Sequence, residues 1–185
     1  MWHSLMALGP QLQLNNLVIA TSSDTRRRRR REGRDVTMRS ILNEGDRTKI
    51  ASRVRSLSES STGRWGSMDV ASMLQHLHLS ARMTLGELPV LSANKRVLQV
   101  FPLKHLILYV LPFPKGAPTS PELKPGVAAS LEEERAAVLE FLERIGTGPR
   151  EGAGPVHPLF GPLTLREWGV ATYKHTDHHL RQFGA

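Results

Sequence analysis

Five of the eight histidines stand in two short runs, Gln75-His76-Leu77-His78 and His175-Thr176-Asp177-His178-His179. Neutral imidazole is a common metal ligand. Residues four apart on a helix stand one above the other, so His175 and His179 can direct two rings at one ion. A further ligand from a neighbouring helix would complete the site. The chain has no cysteine, which removes disulfides, thiolate zinc sites, iron–sulfur clusters and a cysteine nucleophile together. Any metal must therefore be held by histidine or carboxylate. A His-x-x-x-His pair also arises often by chance, so the spacing alone does not define a site.

Helical angles sort the last run. At about 100° per residue from His175, His179 falls near +40° and His178 near −60°. Leu165, Trp168, Thr172, Gln182 and Phe183 lie between about −20° and +80°, which centres the apolar face on the His175/His179 edge. His178 points towards Lys174. Asp177, near 200° and beside Arg166, reads as a solvated charge. Gln182, one turn beyond His179, is placed either to orient an imidazole from behind or simply to cap the helix end. The segment around His76 is apolar nearly all round. His76 shares a side with Met73, Leu79 and Met83, His78 with Leu74, Ala81 and Leu85, and periodicity does not choose between them. His105 reads as core or surface. His157, in Val156-His157-Pro158-Leu159-Phe160-Gly161, sits in a loop that either folds over the helix ends or is solvated.

The elements that must position these residues follow from apolar period and breakers. A helix is predicted from Asp46, as N-cap, to Ser58, with Ile50, Val54 and Leu57 on one stripe. A second runs from Ser67 to Leu88 and is stopped by Pro89. A third covers Asn94 to Leu111, kinked at Pro102. A fourth spans Ser130 to Ile145, with Leu131, Ala137 or Val138, and Leu142 inward. The fifth runs from Thr164 to Phe183. The stretches 112–130 and 146–162 are rich in Pro and Gly and read as irregular connections, the first long enough to be a functional or wrapping loop. With no strand-type alternation of useful length, the expected class is all-α, a four-helix bundle with an extra short helix and irregular Pro/Gly-rich connections.

The formal charge is +8. The first 37 residues hold seven arginines, six of them consecutive from Arg26 to Arg31, against Asp24, Glu32 and Asp35, and so carry half of it. That segment lacks a sustained period and self-repels. It reads as a disordered extension, 1–37, before a domain at 38–185. Met38 resembles a domain start, so an upstream extension of the reading frame is one account of the segment, and a nucleic-acid or localisation patch is another. The remaining charge, spread over a domain, is an ordinary surface, and nucleic acid is not an expected partner. The most apolar stretch, Val97 to Leu111, is shorter than the roughly 18 residues of a membrane span and is interrupted by Pro102, Lys104 and His105. The N-terminus does not have the order of a signal peptide, its charges following the apolar part. The expectation is a cytoplasmic protein without a membrane partner.

Arg64-Trp65-Gly66 before a helix ending in Met73-Leu74-Gln75-His76-Leu77, together with His175-Thr176-Asp177-His178-His179-Leu180-Arg181-Gln182-Phe183, resembles the DinB/YfiT-like superfamily of metalloenzymes. Pro121-Glu122-Leu123-Lys124 and His157-Pro158-Leu159-Phe160-Gly161-Pro162-Leu163, followed by Glu167-Trp168-Gly169, look like one bacterial branch of it. The resemblance covers most of residues 38–185. It implies a four-helix bundle and a divalent ion, nickel or zinc, on His76, His175 and His179, which supplies the choice of His76 over His78. It also implies that relatives transfer thiols such as bacillithiol, mycothiol or glutathione to electrophiles. The arginine-rich segment has no counterpart in that pattern.

Three neutral imidazoles would leave an ion its full charge and an open position, the arrangement of a catalytic site. No glutamate follows either helical histidine in the metalloprotease pattern, so peptide hydrolysis is not expected and no catalytic base is named. The function expected is metal-dependent small-molecule chemistry, thiol or group transfer, with a low-molecular-weight thiol among the substrates and Gln182 and His157 as supporting residues. A non-catalytic metal-binding module is the alternative. A homodimer stays open.

Overall fold

Each main helix begins on a side chain that satisfies its first backbone N–H groups, as helix starts require. The computed structural model describes residues 38–91, 99–116, 119–127 and 129–185. The expected disorder of 1–37 and the first turn of the predicted third helix, 94–98, lie outside these residues. Helix α1, Glu44–Ser56, is capped by Asn43, whose side chain accepts from the Asp46 backbone N–H at 3.1 Å. It thus starts before Asp46, whose carboxylate instead accepts from the Ser40 N–H. Helix α2, Val70–Thr84, is capped by Asp69 through Ser72. It ends before Gly86, whose φ of +76° turns the chain well ahead of Pro89. The predicted span of 67–88 was too long at both ends for these two reasons.

The short α3, Leu103–His105, runs directly into a π-helical stretch, Leu106–Val110. Its free carbonyls are taken up from outside: the Lys174 ammonium donates to Ile107, Leu108 and Leu111 at 2.6 to 2.9 Å. A 3-10 turn, Pro121–Leu123, follows. Helix α4, Leu131–Thr147, opens on a capping box between Ser130 and Glu133 and buries Leu131, Val138, Phe141 and Leu142. Helix α5, Leu165–Gln182, opens on a second capping box between Thr164 and Glu167.

Between α4 and α5 the chain forms an antiparallel hairpin, β1 Ala153–His157 and β2 Gly161–Thr164, with Val156 opposite Pro162 and His157 opposite Gly161. The all-α four-helix class is therefore corrected to a mixed one, with five α-helices and a two-stranded sheet among the described residues. Pro155 and Pro162 break the alternation that would have marked strands. They are tolerated because both strands of a two-stranded ribbon are edges, where a missing N–H leaves no ladder bond unmade. A bulge between Ala153 and Val156 further blurs the period.

Two apolar clusters result. The larger gathers Ile41, Ile50, Val54, Met73, Leu74 and Leu180 with residues of α4. The smaller, of Met83, Leu108, Leu123, Phe160, Leu163 and Trp168, lies where the hairpin meets α2, α5 and the π-helical stretch. Among the described residues no helix is long and apolar enough to cross a membrane.

Trp168 fastens the hairpin to α5 by donating from Nε1 to the Pro155 carbonyl at 2.8 Å. A Cβ on Gly154 would stand 2.4 Å from Trp168 Cδ1, whereas one on Gly126 would meet nothing within 4 Å. Gly154→Ala should therefore lower stability by about 1–3 kcal/mol through overpacking, and Gly126→Ala should leave it nearly unchanged. Urea unfolding of the two variants checks this, and equal midpoints would contradict it.

Candidate metal centre

His76 projects from α2, and His175 and His179 from one edge of α5. Their Nε2 atoms meet: His76 to His175 at 3.0 Å and His179 to His175 at 3.1 Å. Two donors held about 2.0–2.1 Å from one ion, at tetrahedral or octahedral angles, lie about 3 Å apart, so the three could hold a metal. His76 and His179 are buried and His175 is half-buried.

Hydrogen bonds behind two of the rings fix which nitrogen carries the proton. His76 Nδ1 stands 2.7 Å from the Leu123 carbonyl, which can only accept, so Nδ1 is the protonated nitrogen and Nε2 presents a bare lone pair. The 3-10 turn after Ser120 brings that carbonyl into place. His179 Nδ1 stands 2.9 Å from Gln182 Oε1, while Gln182 Nε2 donates to the Trp65 carbonyl at 2.5 Å. The Trp65 carbonyl sets the orientation of the amide, so His179 also donates from Nδ1 and turns a bare Nε2 inward. Gly66 makes this approach feasible: its φ is +80°, and a Cβ there would lie 2.7 Å from Gln182 Nε2.

His175 Nε2 thus faces two acceptors, and one N–H cannot serve both. Extra protons are disfavoured. Burial pushes His76 below its usual range and His179 down to about 4, and it holds His175 well below, with the neighbouring His179 and His76 adding to the effect. A divalent cation satisfies all three lone pairs at once, so the donor set fits such an ion.

The other histidines lie outside this group, although the ring of His178 meets that of His179 edge-on at 5.2 Å between centroids. His78 faces Glu134 at 3.2 Å on the α4 side. His178 packs against the rings of Trp65 and Phe113, with centroids at 5.6 and 6.1 Å. His105 is exposed between Phe101 and Tyr109. His157 is the last residue of β1, where Nδ1 accepts from the backbone N–H groups of Leu159 and Phe160 in the turn at 3.1 and 3.3 Å and the ring lies against Trp168. It lines the same cavity as the three ligand candidates without reaching them through a hydrogen bond. Asp177 is not a solvated charge beside Arg166. It pairs with Arg53 of α1 at 2.6 Å and Arg181 at 2.9 Å, while Arg166 pairs with Glu151. Helical phase alone does not show that α1 covers that side. The Leu123 carbonyl and the Trp65 carbonyl also escaped the sequence, because a backbone acceptor leaves no residue-type signal.

A cavity of about 450 Å³ opens beside the three rings, bounded by α2, α4, α5, the hairpin turn and the loop around Phe113 to Pro125. The model of a family described as a protein of unknown function, DUF1569, matches residues 38–185. The chain belongs to the DUF1569 family. No curated protein and no solved structure matches it. In this DUF1569 chain the matched residues include the hairpin, the capping turns and all three converging histidines.

His179→Ala should strip a bound divalent ion, whereas His178→Ala should leave occupancy nearly intact. Metal content of the two variants, at matched circular dichroism, decides it; equal loss would contradict the geometry. A pH dependence follows as well. Unfolded histidine takes its proton near pH 6.5, while the folded His157 and His179 take theirs only at about 4. Between those values the unfolded chain binds more protons, so the stability of metal-free protein is full above about pH 6.5 and falls as the pH drops towards 4. Urea midpoints at pH 7.5 and 5.0 should differ accordingly, and His157→Gln should flatten the slope.

Proposed function

We propose that this chain is a divalent-metal-dependent enzyme of small-molecule chemistry, thiol or group transfer, with nickel or zinc on His76, His175 and His179. The observation that carries the reading is the convergence of three Nε2 atoms whose rings are fixed from behind by Leu123 and Gln182. The same motifs support a place in the DinB/YfiT-like superfamily. Bound there, a divalent ion supplies Lewis acidity and eases deprotonation of a thiol or water. The chain's own part is to keep the imidazoles neutral and their lone pairs inward, and to provide a largely apolar chamber beside them. That chamber favours a catalytic role over a purely structural tie, since a structural site closes around its ion. Among the described residues no carboxylate lines it, which agrees with chemistry that needs no carboxylate base.

Protein purified without an affinity histidine tag should contain about one nickel or zinc per chain by elemental analysis. Metal-free protein titrated with zinc to a hundred times Kd should gain about 2.7 kcal/mol in stability, and His175→Ala should abolish the gain. Thiol-dependent consumption of an electrophile by the loaded enzyme, absent in His175→Ala, separates the enzyme from a metal-binding module. A chain that takes up no ion from excess zinc or nickel would sink the proposal.

A further inference from the structure

The polar groups of the cavity wall are unequally matched. Ser80, one turn beyond His76 on α2, is 5% exposed, lines the cavity, and its hydroxyl has no hydrogen-bond partner. The Trp65 indole Nε1 also lies buried without a partner, and Trp65 lines the cavity too. The nearby hydroxyls of Thr84 and Thr172 are satisfied. Thr84 donates to the Ser80 carbonyl at 2.9 Å, so in its 3.2 Å contact with Thr172 the latter is the donor. Among the fully buried donors of the wall, one O–H and one N–H are left over, and both call for an acceptor.

The charges lean the same way. Among the described residues no aspartate or glutamate lines the cavity, whereas Lys124 does. The Lys115 ammonium lies 4.3 Å from the centre of the Trp65 ring. A cationic organic ligand would find no carboxylate there, its acceptors being the imidazole lone pairs that a bound metal ion takes. An anion would meet two unused donors and a lysine. Most of the remaining wall is apolar, including Ala81, Met83, Leu142 and Ala171, and the volume lies within the roughly 300–1,000 Å³ of small-molecule sites.

We propose that the cavity selects small amphiphilic anions, with an apolar body against Ala81, Met83 and Leu142 and acceptor oxygens that take the Ser80 hydroxyl and Trp65 indole hydrogens. Ser80 is the residue that sets the preference. The inference rests on reading this cavity as the substrate chamber of a metal-dependent enzyme, and it names the class of ligand that chamber admits.

Three probes with one apolar body test it: 3-phenylpropanoate, 3-phenylpropanamide and 3-phenylpropylamine, titrated calorimetrically into the full chain, metal-free and zinc-loaded. The carboxylate should bind most tightly, the amide more weakly, and the amine least. Ser80→Ala should weaken the carboxylate about tenfold or more while leaving the melting temperature unchanged or raised, because the hydroxyl it removes has no partner in the protein. Trp65→Phe keeps the ring, removes the N–H and should act in the same direction. The proposal is overturned by an amine that binds as well as the carboxylate, by carboxylate binding that Ser80→Ala leaves intact, or by a Ser80→Ala melting point that drops, which would make the serine structural. Failure to take up zinc overturns the metal reading alone, since the anion preference and its dependence on Ser80 are also read in metal-free protein.

Discussion

Much of this molecule's local architecture follows from where two ring hydrogens go. His76 and His179 each direct theirs outward, to a backbone carbonyl and to an amide oxygen, which leaves two bare lone pairs aimed at a third imidazole about 3 Å away. In water such rings would turn or take up protons. Here they can do neither easily: burial opposes the charge, and Gln182 cannot rotate away while the Trp65 carbonyl holds its other end. The tight turn at Gly66 and the 3-10 turn at Pro121–Leu123 are the backbone arrangements that make those two acceptors available.

Helix α5 carries two of the three rings, and its rotation about its own axis decides where they point. Three different kinds of interaction hold that rotation. Lys174 reaches the carbonyls at the end of the π-helical stretch, so the π geometry, which exposes those oxygens, and the lysine depend on one another. Asp177 is gripped by Arg53 from α1, and the same arginine also donates to the Ala185 carbonyl. Trp168 and Gly154 lock the hairpin onto the helix near its start. Exposed ion pairs are individually weak. A charge that bonds to several backbone carbonyls at once constrains direction more than it adds stability.

What the sequence discloses of this arrangement depends on whether a residue's role is set within its own helix or by a neighbour. The shared edge of His175 and His179 is a property of one helix, and phase alone finds it. The choice between His76 and His78 is not, because α2 is buried on several sides. Glu134 on α4 meets one of them and the Leu123 carbonyl meets the other, and neither partner lies near in the chain. The positions of α1, α2, α4 and α5 were legible to within a few residues because their capping side chains are polar and short, with Gly86 ending α2 before Pro89 could. The predicted third helix, 94–111, is instead α-helical among the described residues only after Pro102 and turns π-helical at Leu106. The hairpin was illegible for a different reason: its strands hold so many Gly and Pro residues that their pleat has no apolar alternation to display, and its stability comes from docking onto Trp168.

The two apolar clusters divide the work. The larger one, from α1, α2, α4 and α5, holds most of the buried apolar residues. The smaller one borders the cavity, and around it stand the features that cost stability: neutral buried histidines, an indole N–H and a serine hydroxyl without partners, and a void. Such costs persist in a folded protein when the groups are needed unpaired, because a satisfied donor or a protonated imidazole has nothing left to offer a ligand. Unpaired groups alone do not mark the site, since Gln75 Oε1, Glu122 Oε2 and Arg135 Nε are also buried without partners outside the cavity wall; what separates a prepared site from loose packing is that such groups meet inward imidazole lone pairs and a void in one place.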